Sequence, residues 1–477
     1  MSIHILNTLT RKKEPLVTRE PGKVAMYVCG INPYDFCHMG HARSYVVFDV
    51  VRRYLEFSGY EVTLVTNFTD IEDNILQRAS EAGEDWRAMG ERFIAAYFED
   101  LDALGVKRAT HYPRATEYIP QMIELIKKLI ARGLAYTVDG SVYFEVREFP
   151  GYGKLSGRKL EELEPGARIE VDERLRDPRD FALWKAAKPG EPSWESPWGP
   201  GRPGWHIECS AMSDHLLGFG FDIHGGGLDL IFPHHEDEIA QSEGAEGRAP
   251  FVRYWMHNGW LMVESQKMSK SLGNFITIRD ALASDDPEAL RLMVLSVHYR
   301  SPLDFTQSAL ADARAALERL RIVRQHVERL LVLEPDPQGA DLAELREAVQ
   351  SAEEQFRAGM DDDFNTPKAL AALHELVSEV NRATGATGFR ASSAGGEVLT
   401  FALHTLVKLA GVLGLLEKAS EEAEAGLAPE LIKLLIEMRQ LARERKVYDL
   451  ADAIRTRLAD LGITLEDRPE GTTWRRG

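Results

Sequence analysis

Two histidines three residues apart occur near the start of the chain, in the sequence His38-Met39-Gly40-His41. They follow the apolar run 24–28, which is typical of a buried strand. In a parallel sheet, ligands bind outside the carboxyl ends of the strands, where helix N-termini offer N–H groups to phosphates. Both imidazoles would face such a phosphate, and Gly40 would let a base or ribose approach the backbone. Two histidines near a helix start are also common as surface or capping groups, so this motif alone leaves both interpretations open.

The second motif is Lys267-Met268-Ser269-Lys270-Ser271, which is followed by Leu272-Gly273-Asn274. Two lysines among small hydroxyl residues can close over a triphosphate and neutralise the charge that develops as pyrophosphate leaves. A match of this length arises by chance in well under about one chain in a thousand. We therefore predict that Lys267 and Lys270 are catalytic, together with His38 and His41.

A third group of residues has the chemistry of a metal site. Cys29 ends the first strand, Cys209 lies in the second half of the sheet, and His234 and Glu238 are four residues apart at a predicted helix start. Two thiolates, one imidazole and one carboxylate can surround a tetrahedral zinc ion. These ligands come from distant segments, unlike the short paired spacings of a zinc finger. Isolated cysteines are often simply buried, and four other donors compete: His224, His235, Glu236 and Asp237.

The elements that position these residues have the pattern of a βαβ unit. A helix-periodic stretch at 42–57 follows the first strand, and 60–67 alternates and is rich in β-branched residues. This order predicts an α/β fold with a Rossmann-type parallel sheet. Further strand-like runs at 219–224 and 254–263 predict a second half of the sheet after an insertion.

Amphipathic periodicity and composition predict further domains after the parallel sheet. Four amphipathic stretches after about residue 309 indicate a helical bundle, with a helix start at Asn365-Thr366-Pro367. The acidic, alanine-rich stretch 417–429 is predicted to be a hinge. The full set of predicted regions is a catalytic domain at 1–113 and 205–254, an inserted region at 114–204, a connecting region at 255–308, the bundle at 309–416, the hinge at 417–429 and a small C-terminal domain at 430–477.

The composition argues against a disulfide-rich secreted protein and against a membrane-spanning one. The 477 residues include only three cysteines, so no disulfide framework is expected and a reducing, cytoplasmic compartment is predicted. The polar first 14 residues do not have the pattern of a signal peptide, and no run approaches the roughly 20 apolar residues of a membrane span. The net charge is −18, but from Arg439 onward nine basic residues stand against seven acidic ones. This local shift permits RNA binding without showing it, because a solvated helix face gives the same pattern.

The two motifs resemble the class I aminoacyl-tRNA synthetases, and most closely the cysteinyl-tRNA synthetase family. The resemblance extends from the first strand to the last residues of the chain. The segments that carry it, besides 38–41 and 267–271, are 26–30, 66–71, 202–212, 222–229, 232–236 and 471–476. The resemblance implies an ATP-dependent ligase that activates L-cysteine as an adenylate and transfers it to tRNA(Cys). It also implies that the inserted region at 114–204 contacts the acceptor end of the tRNA and that the C-terminal domain binds the anticodon. We expect a monomer.

The resemblance also implies roles for individual residues. One zinc ion per chain would be held by Cys29, Cys209, His234 and Glu238, with the substrate thiolate bound directly to the metal. ATP, with Mg²⁺, would contact His38, Gly40, His41 and Lys270. The residues implied for cysteine and its adenylate are Gly30, Asn32, Asn67, Thr69, Trp205, Gly227 and Asp229. Those expected to contact tRNA are Arg443, Arg455, Trp474 and Arg475.

Three alternatives remain at this stage. A ligase that joins cysteine to the amine of a glucosamine-inositol would share the metal, the histidines and the lysine loop, but it would not need the C-terminal extension. A non-catalytic RNA-binding paralogue is expected to have lost His38, His41 or Lys270, and all three are present. A zinc-stabilised structural protein would leave the lysine motif without a role. Formation of an adenylate separates the last two from an enzyme.

Overall fold

The chain begins with a hairpin and then enters a βαβ unit. This computed structural model describes residues 2–160, 174–268, 274–417, 421–460, 463–468 and 471–476. Two separate compact units, Met1–Leu415 and Leu416–Gly477, make up the chain. The first elements are β1 (His4–Asn7), β2 (Lys12–Pro15), β3 (Lys23–Ile31), α1 (Met39–Phe57) and β4 (Glu61–Phe68).

An antiparallel sheet is inserted between the two halves of the parallel sheet. Helices α2 (Asp73–Ala82) and α3 (Trp86–Ala103) lead to the inserted elements α4 (Ile119–Ala131), β5 (Ala135–Val138), β6 (Ser141–Phe144), β7 (Phe181–Ala186) and β8 (Gly201–Pro203). The parallel sheet resumes with α5 (Trp205–Leu217), β9 (Phe221–Gly227), α6 (Glu236–Glu246) and β10 (Val252–Asn258). Its strand order is β10-β9-β3-β4. The chain therefore reverses direction across the sheet between β3 and β9, which is where ligands bind in folds of this kind.

The connecting region and the helical bundle complete the first unit. The connecting region contains β11 (Leu261–Val263), β12 (Gln266–Lys267), α7 (Ile278–Ser284), α8 (Pro287–Leu295) and β13 (Leu303–Phe305). The bundle contains α9 (Gln307–Leu331), α10 (Ala343–Asp361), α11 (Thr366–Thr384) and α12 (Ser393–Val412). As predicted, Asn365 caps α11, because its side-chain oxygen accepts a hydrogen bond from Lys368 N at 3.2 Å.

The second unit consists of a helical pair and a hairpin. Its elements are α13 (Glu421–Glu444), α14 (Tyr448–Asp460), β14 (Ile463–Arg468) and β15 (Gly471–Arg476). From Glu421 onward, the stretch predicted as a hinge (417–429) is helical, because α13 begins there. Its glutamates and alanines are strong helix formers. Residues 418–420 of the predicted hinge lie outside the described residues.

A second correction concerns the strand predicted at 254–263. It is two strands, β10 and β11, separated by Gly259 and Trp260. Gly259 N donates to Tyr299 O at 2.8 Å, and Trp260 O accepts from Leu303 N at 3.0 Å, so the chain leaves the parallel sheet here for a different partner. The sheet extends to Asn258, four residues past the predicted boundary at 254.

The predicted fold class is confirmed. A parallel-sheet α/β domain with an insertion is followed by a helical bundle and a small C-terminal unit. Among the described residues, no helix is long and apolar enough to cross a membrane.

Candidate active site and metal centre

A cavity of about 500 Å³ lies at the carboxyl ends of β3 and β9. Most of the residues predicted for nucleotide and amino-acid binding line it. They are Cys29, Gly30, Asn32, His38, Gly40, His41, Trp205, Gly227 and Asp229. The two predicted residues Asn67 and Thr69 are instead buried behind the wall, with exposed fractions of 2% and 3%. Asn67 Oδ1 accepts a hydrogen bond from Gly30 N at 3.0 Å, so these two residues support the lining.

The two histidines of the first motif close the N-terminus of α1. His38 Nδ1 accepts from His41 N at 3.2 Å, and His41 Nδ1 accepts from His38 N at 3.3 Å. Since both Nδ1 atoms are acceptors, each neutral ring carries its proton on Nε2. The rings stack with centroids 3.7 Å apart. Burial, with a smaller contribution from His38, lowers the pKa of His41 well below its ordinary value, so this ring stays a neutral N–H donor.

The segment after the lysine motif is attached to the histidine motif. Met39 N donates to Ile276 O at 3.0 Å, and Ile278 N donates to Cys37 O at 2.9 Å. Met268 and Phe275, which flank 269–273, both line the cavity. Lys270 lies outside the described residues, as does the side chain of Lys267, whose backbone ends β12. Met268 of the second motif and Phe275 just after it therefore line the same cavity as the two histidines of the first motif.

Two glycines of the site allow close approaches. A Cβ atom at Gly40 would lie 2.8 Å from His38 Cε1, so the glycine makes room for the stacked His38 ring. A Cβ atom at Gly30 would lie 1.7 Å from Asn67 O. Gly30 lies where the pairing of β3 with β4 shifts between Val28 and Ile31. Only glycine therefore fits between β3 and the backbone of Asn67.

We expect Gly30→Ala to lower the free energy of unfolding by about 1–3 kcal/mol, the usual cost of overpacking a closed site. Gly90→Ala is the control, because Gly90 lies in α3 and a Cβ atom there meets nothing within 4 Å. In a helix, that change is expected to stabilise by about 0.5–1 kcal/mol. Urea denaturation followed by tryptophan fluorescence measures both. Equal midpoints for the two variants would mean that Gly30 is not required by the packing.

Six buried or half-buried groups form a cluster at the inner end of the cavity. Two sets of four residues could each hold a metal ion, because within each set the donor atoms all lie within 4.8 Å of one another. One is the predicted set, Cys29, Cys209, His234 and Glu238; the other is Cys29, His224, His235 and Glu238. In the predicted set, the two Sγ atoms are 4.0 Å apart and His234 Nε2 is 3.1 Å from Glu238 Oε1. The cluster includes Cys29, which also lines the cavity, so a metal ion held there would face a bound molecule.

The electrostatics of this cluster favour a cation. Burial raises the pKa of Cys29 well above its ordinary value, and Cys209 and Glu238 act in the same direction. The hydrogen bond from Cys29 lowers the pKa of Cys209 to about 6. Burial also acts to raise the pKa of Glu238, but His224 and His234 lower it to about 2. Closely packed thiols and a carboxylate are stabilised in their charged forms by a divalent ion.

Some residues of the site were not predicted from the sequence. Tyr34, Asn258, Trp260 and Phe275 also line the cavity. Asn258 ends β10, so it could have been inferred from the rule that ligands meet the carboxyl ends of strands. Tyr34 and Phe275 lie in loops, where periodicity carries no signal.

Two of the residues predicted to bind tRNA are exposed on the second unit. Arg443 lies on α13 and Arg455 on α14. Trp474 and Arg475 lie in β15, paired with Leu465 and Thr464. The side chains of Trp474 and Arg475 lie outside the described residues.

Family models match three parts of the chain. Residues 15–315 match the model of the class I (C) tRNA synthetase catalytic domain, 355–417 match the DALR domain, and 425–475 match the cysteinyl-tRNA ligase anticodon binding domain. The chain is 52% identical to the cysteine–tRNA ligase of Pelotomaculum thermopropionicum, over 99% of its own length and 100% of that protein. The chain belongs to the cysteine–tRNA ligase family. The corresponding protein of Thermococcus onnurineus is 50% identical over 100% of the chain and 99% of that protein.

Solved structures agree on the fold of this family member. Methionyl-tRNA synthetase of Mycobacterium tuberculosis, in complex with methionyl-adenylate, superposes with a TM-score of 0.60 and 16% identity. The match covers 82% of this chain and 89% of that one. This likeness confirms the predicted fold, while the predicted family is confirmed by the sequence matches.

Proposed function

We propose that the protein is a cysteine–tRNA ligase that activates L-cysteine with ATP and transfers it to tRNA(Cys), with zinc selecting the substrate thiolate. In the first step, the carboxylate of cysteine attacks the α-phosphate, and the bond to pyrophosphate breaks. In the second step, a hydroxyl of the terminal adenosine of the tRNA attacks the adenylate carbonyl and releases AMP. The observation that carries the proposal is that Cys29 belongs to the metal-binding cluster and lines the same cavity as His38 and His41.

The second donor set is less suitable for the metal. Ligation through His224 Nε2 would place a proton on its Nδ1, which has no hydrogen-bond partner among the described residues. A buried N–H without a partner costs about 1–3 kcal/mol. If His224 Nε2–H instead donates to Glu238 Oε2, 2.9 Å away, it orients the carboxylate toward the metal. The predicted set also contains both thiols, which zinc prefers.

The choice of zinc accounts for selection of cysteine over serine. A zinc ion held by Cys29, Cys209, His234 and Glu238 would supply a coordination position that prefers a soft thiolate to a hydroxyl. Packing alone separates near-isosteres by only about 10- to 200-fold. The ring of Trp205 lies 4.5 Å from that of His234, where it covers this end of the cavity. The enzyme would therefore recognise the side chain of cysteine through coordination of its sulfur atom to zinc.

The remaining lining residues serve the nucleotide. The Nε2–H groups of His38 and His41 donate to phosphate oxygens, and Lys267 and Lys270 neutralise the departing pyrophosphate, with Mg²⁺ bound to ATP. We propose that Gly30, Asn32, Trp205, Gly227 and Asp229 bind cysteine and its adenylate, with Asn67 and Thr69 supporting Gly30.

The second unit is proposed to read the anticodon through Arg443, Arg455, Trp474 and Arg475. The match of 425–475 to an anticodon-binding family supports this, as does the slight excess of basic over acidic residues from Arg439 onward. A ligase acting on a small amino sugar would not need this unit. We also propose that the protein is a monomer. We propose a cytoplasmic location, since all three cysteines are free thiols suited to a reducing compartment.

The proposal is tested by transfer of labelled cysteine to unfractionated tRNA with ATP, with serine as competitor, before and after removal of zinc by a chelator. We expect charging that serine does not inhibit and that requires the metal. A control re-addition of zinc should restore charging.

The other outcomes are informative in different ways. Formation of an adenylate without charging of tRNA would favour the amino-sugar acceptor. Charging of cysteine that survives verified removal of all metal would contradict the role of zinc in substrate selection, while leaving the ligase activity in place.

A further inference from the structure

A loop of the inserted region, residues 151–157, is attached to α6 next to the metal cluster. Leu155 N and Ser156 N donate to the carboxylate of Glu236 at 3.3 and 2.8 Å. Lys154 forms an ion pair with Glu243, seven residues further along α6. Tyr152 OH donates to Asp237 Oδ1, the residue directly before the metal donor Glu238. The inserted region therefore contacts the helix that carries a metal donor.

From Asp237, a chain of polar contacts continues to His234. His206 Nε2 lies 3.3 Å from Asp237 Oδ2, at the long end of hydrogen-bonding distance. His206 Nδ1 lies 2.8 Å from His234 Nδ1. His234 Nε2, on the opposite side of the ring, is the atom that faces Glu238 and the metal cluster. The chain thus connects Tyr152 to a metal ligand through two side chains.

The donors and acceptors of this chain have a single consistent assignment. A metal ligand must present a bare Nε2, so the proton of His234 is on Nδ1 and is donated to His206 Nδ1. His206 then carries its own proton on Nε2, which faces Asp237 Oδ2 at 3.3 Å. One oxygen of Asp237 thus faces His206, and the other accepts a hydrogen bond from Tyr152. Tyr152 therefore fixes the orientation of the carboxylate that sets the tautomer of His206, and through it that of His234.

We propose that Tyr152 is a positioning residue for the metal centre, through which the inserted region sets the affinity of the site for zinc and its selectivity for cysteine. This rests on the proposed function, in which zinc is held by His234. Partners of metal-bound histidines orient the ring and raise its basicity, and their loss typically costs about 10- to 100-fold in metal affinity. Because Tyr152 acts through two intermediates, we expect the lower end of that range.

The test is the zinc affinity of Tyr152→Phe in the full-length protein, measured by competition with a chromophoric chelator. The phenylalanine ring keeps the contact with Phe232, whose centroid is 6.5 Å away, and removes only the hydroxyl. We expect zinc to bind about tenfold more weakly. Lys154→Met is the matched control, because it removes another anchor of the same loop and leaves the chain to His234 intact. If zinc affinity depends on the chain of polar contacts to His234 and not on docking of the loop, Lys154→Met should change that affinity by less than about twofold.

A double-mutant cycle with His206→Ala separates positioning from general destabilisation. Once His206 is gone, Tyr152→Phe should have no further effect on zinc affinity. An equal loss in both backgrounds, or none in either, would overturn the proposal. The ratio of cysteine- to serine-dependent pyrophosphate exchange should fall with zinc occupancy. If Tyr152→Phe binds zinc normally while the wild type charges tRNA with cysteine, the inference fails and the proposed function stands. If the wild type charges no tRNA, the proposed function fails.

Discussion

Replacing His41 with alanine is expected to slow cysteine-dependent pyrophosphate exchange by about 10²–10³-fold, with little change in the KM for cysteine. This is the usual effect of removing one preorganised donor to a charge that develops in the transition state. His41 lines the cavity, and its Nδ1 is occupied by His38 N, so its Nε2–H is the group directed at the nucleotide. The metal cluster, which is proposed to bind the cysteine thiol, is not altered by this change.

Two further measurements distinguish this role from simple loss of the helix cap. His41→Gln places an amide N–H near the position of Nε2, and it should recover part of the rate that His41→Ala loses. Because burial and His38 hold the pKa of His41 well below its ordinary value, the wild-type rate should not fall with His41 protonation as the pH drops through about 6.5. A rate for His41→Gln as low as that for His41→Ala would indicate that the imidazole serves only the packing of α1.

The sequence was sufficient for the parts of the site that lie on regular elements. Cys29 lies near the carboxyl end of β3 and the histidine pair lies at the start of the helix that follows, so the rule for carboxyl ends of parallel strands predicts that they meet at one edge. His234 and Glu238 are four residues apart and their side chains do meet, although His234 lies in the irregular turn Ile231–His235 before α6. Spacing predicts such pairs because a helical turn brings residues i and i+4 together even when the turn is imperfect.

The sequence was insufficient where position depends on contacts between distant segments. Nothing in the spacing of Asn67 indicates that its side chain supports Gly30 from behind the cavity wall. The chain from Tyr152 to His234 joins the insertion to the metal site across 82 residues of sequence, and a tyrosine in a loop carries no local signal of that role. Two donor sets share Cys29 and Glu238. They differ in that only the predicted set contains both thiols, and in that His224 Nδ1 has no hydrogen-bond partner among the described residues.

The helix in the stretch 417–429 also differs from what the sequence suggests. An acidic, alanine-rich composition predicts a hinge there, but glutamate and alanine are also strong helix formers. A helix of the second unit extends through this stretch from Glu421.

Asp49→Ala should be the most destabilising single change in the catalytic unit, lowering the free energy of unfolding by about 3–5 kcal/mol. Asp49 lies in α1 and is 3% exposed. Its Oδ2 accepts from Arg53 Nε at 2.8 Å and from Arg291 Nη2 at 2.6 Å. Removing the carboxylate takes this counter-charge from the buried guanidinium of Arg291 and removes one ion-pair partner of Arg53. These two arginines also donate to the carbonyl oxygens of Gly411 and Leu413, so the cluster joins α1, α8 and the end of α12.

Glu84→Ala is the matched control for Asp49→Ala. Glu84 pairs with Arg92 at 2.7 Å on the surface, where an ion pair contributes no more than about 1 kcal/mol. Seven of the eight tryptophans lie in residues 1–415, so urea denaturation followed by tryptophan fluorescence reports mainly on that unit. The midpoint should fall much further for Asp49→Ala than for Glu84→Ala. Similar midpoints would mean that water or the neighbouring carbonyl oxygens stabilise the two arginines without Asp49, and that packing alone holds α1 against the bundle.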